Sequence, residues 1–418
     1  MKPNYLNTKI FIIFFYIISI INFTNRFVVA ENWPMFKFDP QHKGSSGAGP
    51  TPPLEVKKIF KTGSIIDSSP ALADKKIYFG CDDHFLYCFD LESEKQLWRF
   101  ETEDFIISSP CINNNSVFFG SGDGFVYCLN SETGKLIWKL NLEARIDVSP
   151  ASNDDSIFIG SHNNNFYCID ANNGNIKWKF TDDWFITSAP VIFENIVYFG
   201  SHNGNIYGLN IKTGEKLITF STEIKTEKEE KTKSVPVAPT VFEGLLLSKS
   251  SSAAKVDKET KEKPISSIRK GIYSSPAVTE THLIVSSLDY YIYAFNRKSG
   301  NLEWKYRTYD CILSSPVISG NYVYVGSLDN NLYCINIFTG KVKWKFQTNG
   351  DIYSTPSIVS NLIYLGSWDG YLYILDEITG NLVWRYNIGS WIRSSPAIYN
   401  NMLLFGAQDG NLYVLGKR

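Results

Sequence analysis

The side chains in this 418-residue chain best suited to reaction or metal binding are five histidines and seven cysteines. His162 and His202 are forty residues apart, and each follows a Gly-Ser pair. Two imidazoles so matched would suit a transition metal if both ring nitrogens reached within about 2.0–2.1 Å of one ion. The same slot holds Leu328, Trp368 and Gln408 further along. The pair is therefore read as solvent-facing turn residues, and no metal site is expected. Cys88, Cys128, Cys168 and Cys334 share a phase with Ala294, which marks them as small buried fillers rather than reactive thiols. Cys81, Cys111 and Cys311 fall in other phases, and a disulfide among them is left open. Asp369 and Asp409 each precede a glycine and are read as hairpin residues. With no Gly-x-Ser-x-Gly elbow and no phosphate loop, no catalytic residue is expected.

The elements that carry these residues are repeats. Ser-Ser-Pro or a close variant ends at Pro70, Pro110, Pro150 and Pro190, then at Pro276, Pro316, Pro356 and Pro396, forty residues apart within each set. After each proline come an apolar stretch, a polar turn and a strand such as Ile77–Gly80 or Val323–Gly326. An Asp-Gly or Asn-Gly hairpin follows in several copies, then a strand such as Tyr371–Asp376, a Thr-Gly turn and Leu382–Tyr386. Each module reads as four short antiparallel strands, which is one blade of a β-propeller.

The expected fold is therefore all-β: a single propeller over residues 54–418 with eight clean modules. A ninth, degenerate module at 237–270 makes eight blades the favoured number and nine the alternative. The last module lacks its fourth strand, and Leu54–Lys61 has the character to supply it and close the ring. Residues 222–234 are charged and are read as a surface loop. Residues 1–30 have the form of a signal peptide, with the apolar run Ile10–Ile21 and a Val28-Val29-Ala30 cleavage site, and 31–53 form a lead segment. The run is short for a membrane span, so none is expected after cleavage. Basic and acidic residues balance, at 41 against 42, which gives no footprint for nucleic acid.

Within the repeat, one position is constant and the next is not. Four residues before each proline stands isoleucine: Ile66, Ile106, Ile146, Ile186, Ile272, Ile312, Ile352 and Ile392. The following residue is Asp67, Ile107, Asp147, Thr187, Tyr273, Leu313, Tyr353 or Arg393, with Arg145, Trp184 and Trp391 close by. This segment links the outer strand of one blade to the inner strand of the next, so its residues should ring one mouth of the central channel. Varied side chains on a repeated scaffold suit a binding surface, and Tyr, Trp and Arg are enriched at interface hot spots. The candidate binding residues are Asp67, Arg145, Asp147, Trp184, Thr187, Tyr273, Tyr353, Trp391 and Arg393. The alternative is drift at tolerant loop positions.

The run Ala294 to Trp304 (AFNRKSGNLEW) resembles the tryptophan-docking motif of quinoprotein propellers, A-x-D-x-x-T-G-x-x-x-W. Trp98, Trp138, Trp178, Trp304, Trp344 and Trp384 fall at its last position. Trp33-Pro34-Met35-Phe36, Asp39-Pro40-Gln41-His42 and Gly44 are similar to the N-terminal signature of the same family. The chain is thus identified as a member of the PQQ-like, quinoprotein-type β-propeller family. The resemblance implies that the six tryptophans pack between blades. It also implies one of two functional types: dehydrogenases holding pyrroloquinoline quinone and calcium, or non-catalytic propellers such as the outer-membrane assembly factor. The chain lacks the adjacent Cys-Cys pair of many quinone alcohol dehydrogenases and a C-x-x-C-H haem site, and so resembles the assembly-factor branch more. Its first cysteine is Cys81, so no lipid anchor is expected. The reading is a secreted, periplasmic or cell-surface monomer without a cofactor, a scaffold for a protein, peptide or glycan ligand. The alternatives are a PQQ-dependent oxidoreductase and a structural cell-surface module.

Overall fold

Alternating apolar and polar residues in runs of three to eight, each bounded by Gly, Asn or Asp turns, dictate short antiparallel strands. The computed structural model describes residues 36, 49–223 and 271–418. They form eight four-stranded antiparallel sheets, each a blade, disposed around one channel. Blades 1 to 4 occupy 71–101, 111–141, 151–181 and 191–221, and blades 5 to 7 occupy 277–307, 317–347 and 357–387. Blade 8 takes three strands from 397–417, and Leu54–Lys61 pairs antiparallel with Asn411–Lys417 to complete it. Blades 4 and 5 are direct neighbours: Ser188 Oγ donates to Ser274 O, and Ile272 N–H to Ser201 O. The ring therefore closes at eight. The degenerate module at 237–270, the signal segment and nearly all of the charged loop at 222–234 lie outside the described residues.

Apolar contact and backbone bonding join the blades. At all eight junctions the constant isoleucine donates its N–H to the strand-end carbonyl of the preceding blade, as Ile106 does to Cys81 and Ile66 to Ala407. Its side chain lies on the glycine before that carbonyl. A Cβ built on Gly80, Gly120, Gly326, Gly366 or Gly406 would stand 2.2–2.4 Å from the facing isoleucine Cγ2. A side chain here crowds the facing isoleucine, which favours glycine at these positions. Blade 5 departs from the pattern with Ser286, whose hydroxyl donates instead to Ser314 O.

A second contact lies further out. In blades 1 to 3 and 5 to 7 the pairing slips by one residue just before the tryptophan, as between Cys88↔Trp98 and Phe89↔Gln96. Such a bulge turns the following side chain. Trp98, Trp138, Trp178, Trp304 and Trp344 each donate Nε1–H to a carbonyl 33 residues ahead, in the next blade, at 2.7–3.3 Å. Each indole covers the positive-φ glycine of that blade's outer turn, at Gly134, Gly174, Gly214, Gly340 and Gly380 respectively. Trp384 faces the closing blade, which has no such turn, and packs with Tyr386 in the core there. Blade 4 has Ile218 where those six blades have tryptophan, and Ile218 lies beside Gly300 of blade 5.

Candidate functional site

The mouth is built from two backbone segments per blade, bonded to each other. One is the loop arriving from the preceding blade, and the other is the hairpin between the second and third strands. The hairpin residue two past each strand-end glycine or serine donates its N–H to the loop residue just before the constant isoleucine. Examples are Asp82 to Ile65, His162 to Arg145, Trp368 to Asp351 and Gln408 to Trp391. In blades 1, 2, 6 and 7 an aspartate one residue further on clasps both segments. Asp329 accepts the Tyr333 hydroxyl at 2.7 Å, the Tyr309 N–H at 2.9 Å and its own turn N–H from Asn331 at 3.0 Å. Asp369 does the same for Tyr373, Asn349 and Tyr371. The mouth side chains thus stand on a backbone held in place from both sides.

All eight residues at the varied position, Asp67, Ile107, Asp147, Thr187, Tyr273, Leu313, Tyr353 and Arg393, line one central cavity. Below them runs a belt of small residues, Ser69, Ser109, Ser149, Ala189, Ser275, Ser315, Thr355 and Ser395. Backbone N–H to hydroxyl bonds of 2.9–3.2 Å link this belt from Ser275 round through Ser395 and Ser69 to Ser149. Ala189 interrupts it. Phe36 also lines the cavity and packs on the apolar cluster that includes Val148 and Ala189. Gly49 lies against Val359 and Tyr364, at the far end of the inner strand of blade 7.

The mouth divides into sectors. Between blades 8 and 1, Arg393 bonds Asp67 at 2.5 Å, and Gln408 Nε2 donates to the other oxygen of Asp67 at 3.2 Å. Tyr353, Trp368 and Trp391 stack in parallel, with centroids 4.4 and 4.5 Å apart and planes within 5°. The Arg393 guanidinium lies 4.8 Å from the Tyr353 ring centroid. In the sector of blades 3 to 5, Asp147 is held by Arg145 Nε at 2.5 Å and by His162 Nε2 at 3.1 Å. Burial pushes the Asp147 carboxyl up, but these two partners outweigh it and hold it below the ordinary value. Thr187 bonds His202 at 2.6 Å. Leu288, Leu313 and Leu328 make the side between these sectors apolar.

Of the residues named from sequence, seven line the cavity or bond directly to a residue that does, and Trp391 joins through the aromatic stack. Trp184 does not: it is 42% exposed outside the cavity. The histidine reading requires correction. His162 and His202 are half-buried and turned to the channel residues Asp147 and Thr187 rather than to solvent. All seven cysteines are free thiols, so the disulfide left open among Cys81, Cys111 and Cys311 is not formed. Sequence reasoning placed His162, His202, Trp368 and Gln408 in one slot but read that slot as facing solvent, and it did not name Asp82 as a member. Asp82 and Trp368 each bury one polar atom without a hydrogen-bond partner among the described residues. For Asp82 the atom is Oδ1, and burial, reinforced by Asp67, lifts its carboxyl to about 7 against the pull of Arg393.

A family model described as the β-propeller of the beta-alanine-activating enzyme matches residues 117–415. A second, described as outer membrane protein assembly factor BamB, matches residues 46–134. Among solved structures the chain is similar to BamB from Moraxella catarrhalis, at 17% identity and a TM-score of 0.67, covering 87% of this chain and 97% of that one. It is similar to a europium-containing methanol dehydrogenase at 12% identity and a TM-score of 0.72, covering 92% and 98%. It is also similar to the quinohemoprotein alcohol dehydrogenase from Comamonas testosteroni at 12% identity and a TM-score of 0.70, covering 93% and 81%. At these identities the likeness is one of fold. No curated protein matches the chain.

Proposed function

The chain belongs to the family of the beta-alanine-activating enzyme β-propeller and is a PQQ-like propeller, and we propose that it is a non-catalytic, extracytoplasmic recognition scaffold. Its ligand is a protein, peptide or glycan taken at the channel mouth. One observation carries the reading: eight loops of constant backbone and constant isoleucine present varied neighbours to a single cavity. A scaffold that fixes position and frees identity is what a recognition surface requires. The family model described as an outer-membrane assembly factor supports a scaffold role. The signal-like segment at residues 1–30 supports the location.

The residues present fit a quinone over calcium poorly. The channel carboxylates Asp67 and Asp147 are each bonded to an arginine. Among the described residues no group of three or more His, Cys, Asp and Glu side chains is placed to hold a metal ion. The test of the scaffold reading is co-purification from the native envelope with Asp67, Tyr353, Trp391 and Arg393 all changed to Ala. Loss of the partner with the fold intact is expected, and unchanged capture would remove the mouth as its surface. Dye reduction across alcohols and sugars after reconstitution with pyrroloquinoline quinone and calcium is expected to stay at background.

A further inference from the structure

We propose that the mouth sector of blades 7, 8 and 1 is a subsite for an organic cation, the ammonium or guanidinium group of a Lys or Arg side chain on a polypeptide partner. The inference rests on the mouth being the recognition surface and adds the chemistry of what enters it. Its first support is Asp82, with one carboxylate oxygen buried and unbonded among the described residues. The nearest cations are already engaged, Arg393 by Asp67 and Arg145 by Asp147. A carboxylate in that position is stabilised by a proton or by a cation supplied from outside.

The second support is aromatic and independent of the first. Both faces of Trp368 are covered, by Tyr353 and Trp391. Trp391 stacks on one side only and is 38% exposed. An indole with one ring face unstacked is a favourable seat for a cation. Contiguous backbone connects these groups: Gln408 N–H bonds Trp391 O, Gln408 Nε2 bonds Asp67, and Asp82 N–H bonds Ile65 O on the loop that carries Asp67. A metal ion would need several oxygen ligands, whereas this sector offers one free carboxylate and a ring face.

The charged groups acting on Asp82 are Asp67 and Arg393 from the entering loops, Asp83 on its own hairpin and Arg145 from the loop into blade 3. Burial keeps Asp82 protonated up to about pH 7, so cation binding should strengthen as pH rises through that value. The probes are acetylated, amidated Gly-Ser-X-Ser-Gly peptides with Lys, Arg, norleucine or Glu at X, titrated into the full chain and followed by tryptophan fluorescence. The Lys and Arg peptides are expected to bind about tenfold or more tighter than norleucine at pH 8, equivalent to about 1.4 kcal/mol. That advantage should shrink below pH 6. In Asp82→Asn the advantage and its pH dependence should both vanish while the far-UV spectrum stays unchanged, and Trp391→Ala should weaken both basic peptides. Lys and Arg no better than norleucine up to millimolar peptide, a Glu peptide binding equally well, or calcium displacing the basic peptides would each overturn the proposal. If D82N also leaves capture of the native partner intact while the four-residue variant abolishes it, the mouth stands and the cation subsite falls.

Discussion

Ile106 and Ile107 are the same side chain, one residue apart on one loop, and they belong to different regions of the molecule. Ile106 is fully buried between blades, with its Cγ2 over Gly80 and its N–H on Cys81 O. Ile107 faces the channel among residues of every chemical type. The difference explains why the first position is constant and the second is not. Steric fit to the preceding blade fixes the wall, and nothing within the fold fixes the mouth. The comparison is tested first at Ile106→Ala. Removing a buried Ile beside a glycine leaves a cavity the wall cannot fill, and the expected loss is about 2–5 kcal/mol, read as a lower urea midpoint at unchanged slope. A loss below about 1 kcal/mol would mean that the junction is not the main tie between blades.

The same contact approached from the other side gives the next largest effect. A Cβ on Gly120 would sit 2.3 Å from Ile146 Cγ2 and 3.1 Å from its carbonyl oxygen. Gly120→Ala should therefore cost about 1–3 kcal/mol by overpacking. The paired variant Gly120→Ala with Ile146→Ala, which removes the facing Cγ2 methyl, should cost less than the two single variants together. If the double variant is simply the sum of its parts, the two residues do not share the space assigned to them.

A smaller effect lies on the mouth side, in the pH dependence of stability. Burial raises the Asp82 carboxyl from its ordinary value to about 7. A group bound to its proton more tightly in the folded state contributes stability below its unfolded value, and loses it as pH rises through the folded one. Wild type should lose stability from this residue between about pH 4 and 7, and Asp82→Asn should flatten that slope. Asp147, held low by His162 and Arg145, acts in the opposite sense. Its contribution is present above the unfolded value and fades in acid, so the two are separable by pH range. An unaltered profile in Asp82→Asn would show that its carboxyl is solvated in the native protein.

Much of this is legible in the sequence, and the physical reason is repetition. Eight copies of Ser-Ser-Pro or its variants in phase fix the blades, and Ile constant beside Asp, Tyr, Leu or Arg separates wall from mouth. The hairpin row is harder to see, although Asp82, His162, His202, Trp368 and Gln408 vary in the same manner as the loop row. Turn chemistry accounts for those positions locally, and a local account hides that the hairpin bends toward the axis. The aspartate clasp is half visible. Asp369 reads as a turn residue, which it is, but Tyr373 lies four residues on and accounts for its second oxygen. The unpaired state of Asp82 is beyond sequence, since it depends on Arg393 and Arg145 choosing other carboxylates.

The smallest expected effect is the sharpest test. Ile107→Ala removes the same three methyl and methylene carbons as Ile106→Ala, from a side chain that is only partly buried. It opens toward existing space rather than creating a sealed void, so the cavity penalty is absent and only partial transfer energy is lost. The expected change is under about 1 kcal/mol, measured by the same urea titration. Because the two variants share loop, residue type and unfolded-state effect, their difference isolates the fit to Gly80. Equal losses at 106 and 107 would mean that the mouth is as constrained by folding as the wall, and that its variety records compensated packing rather than a surface left open for a partner.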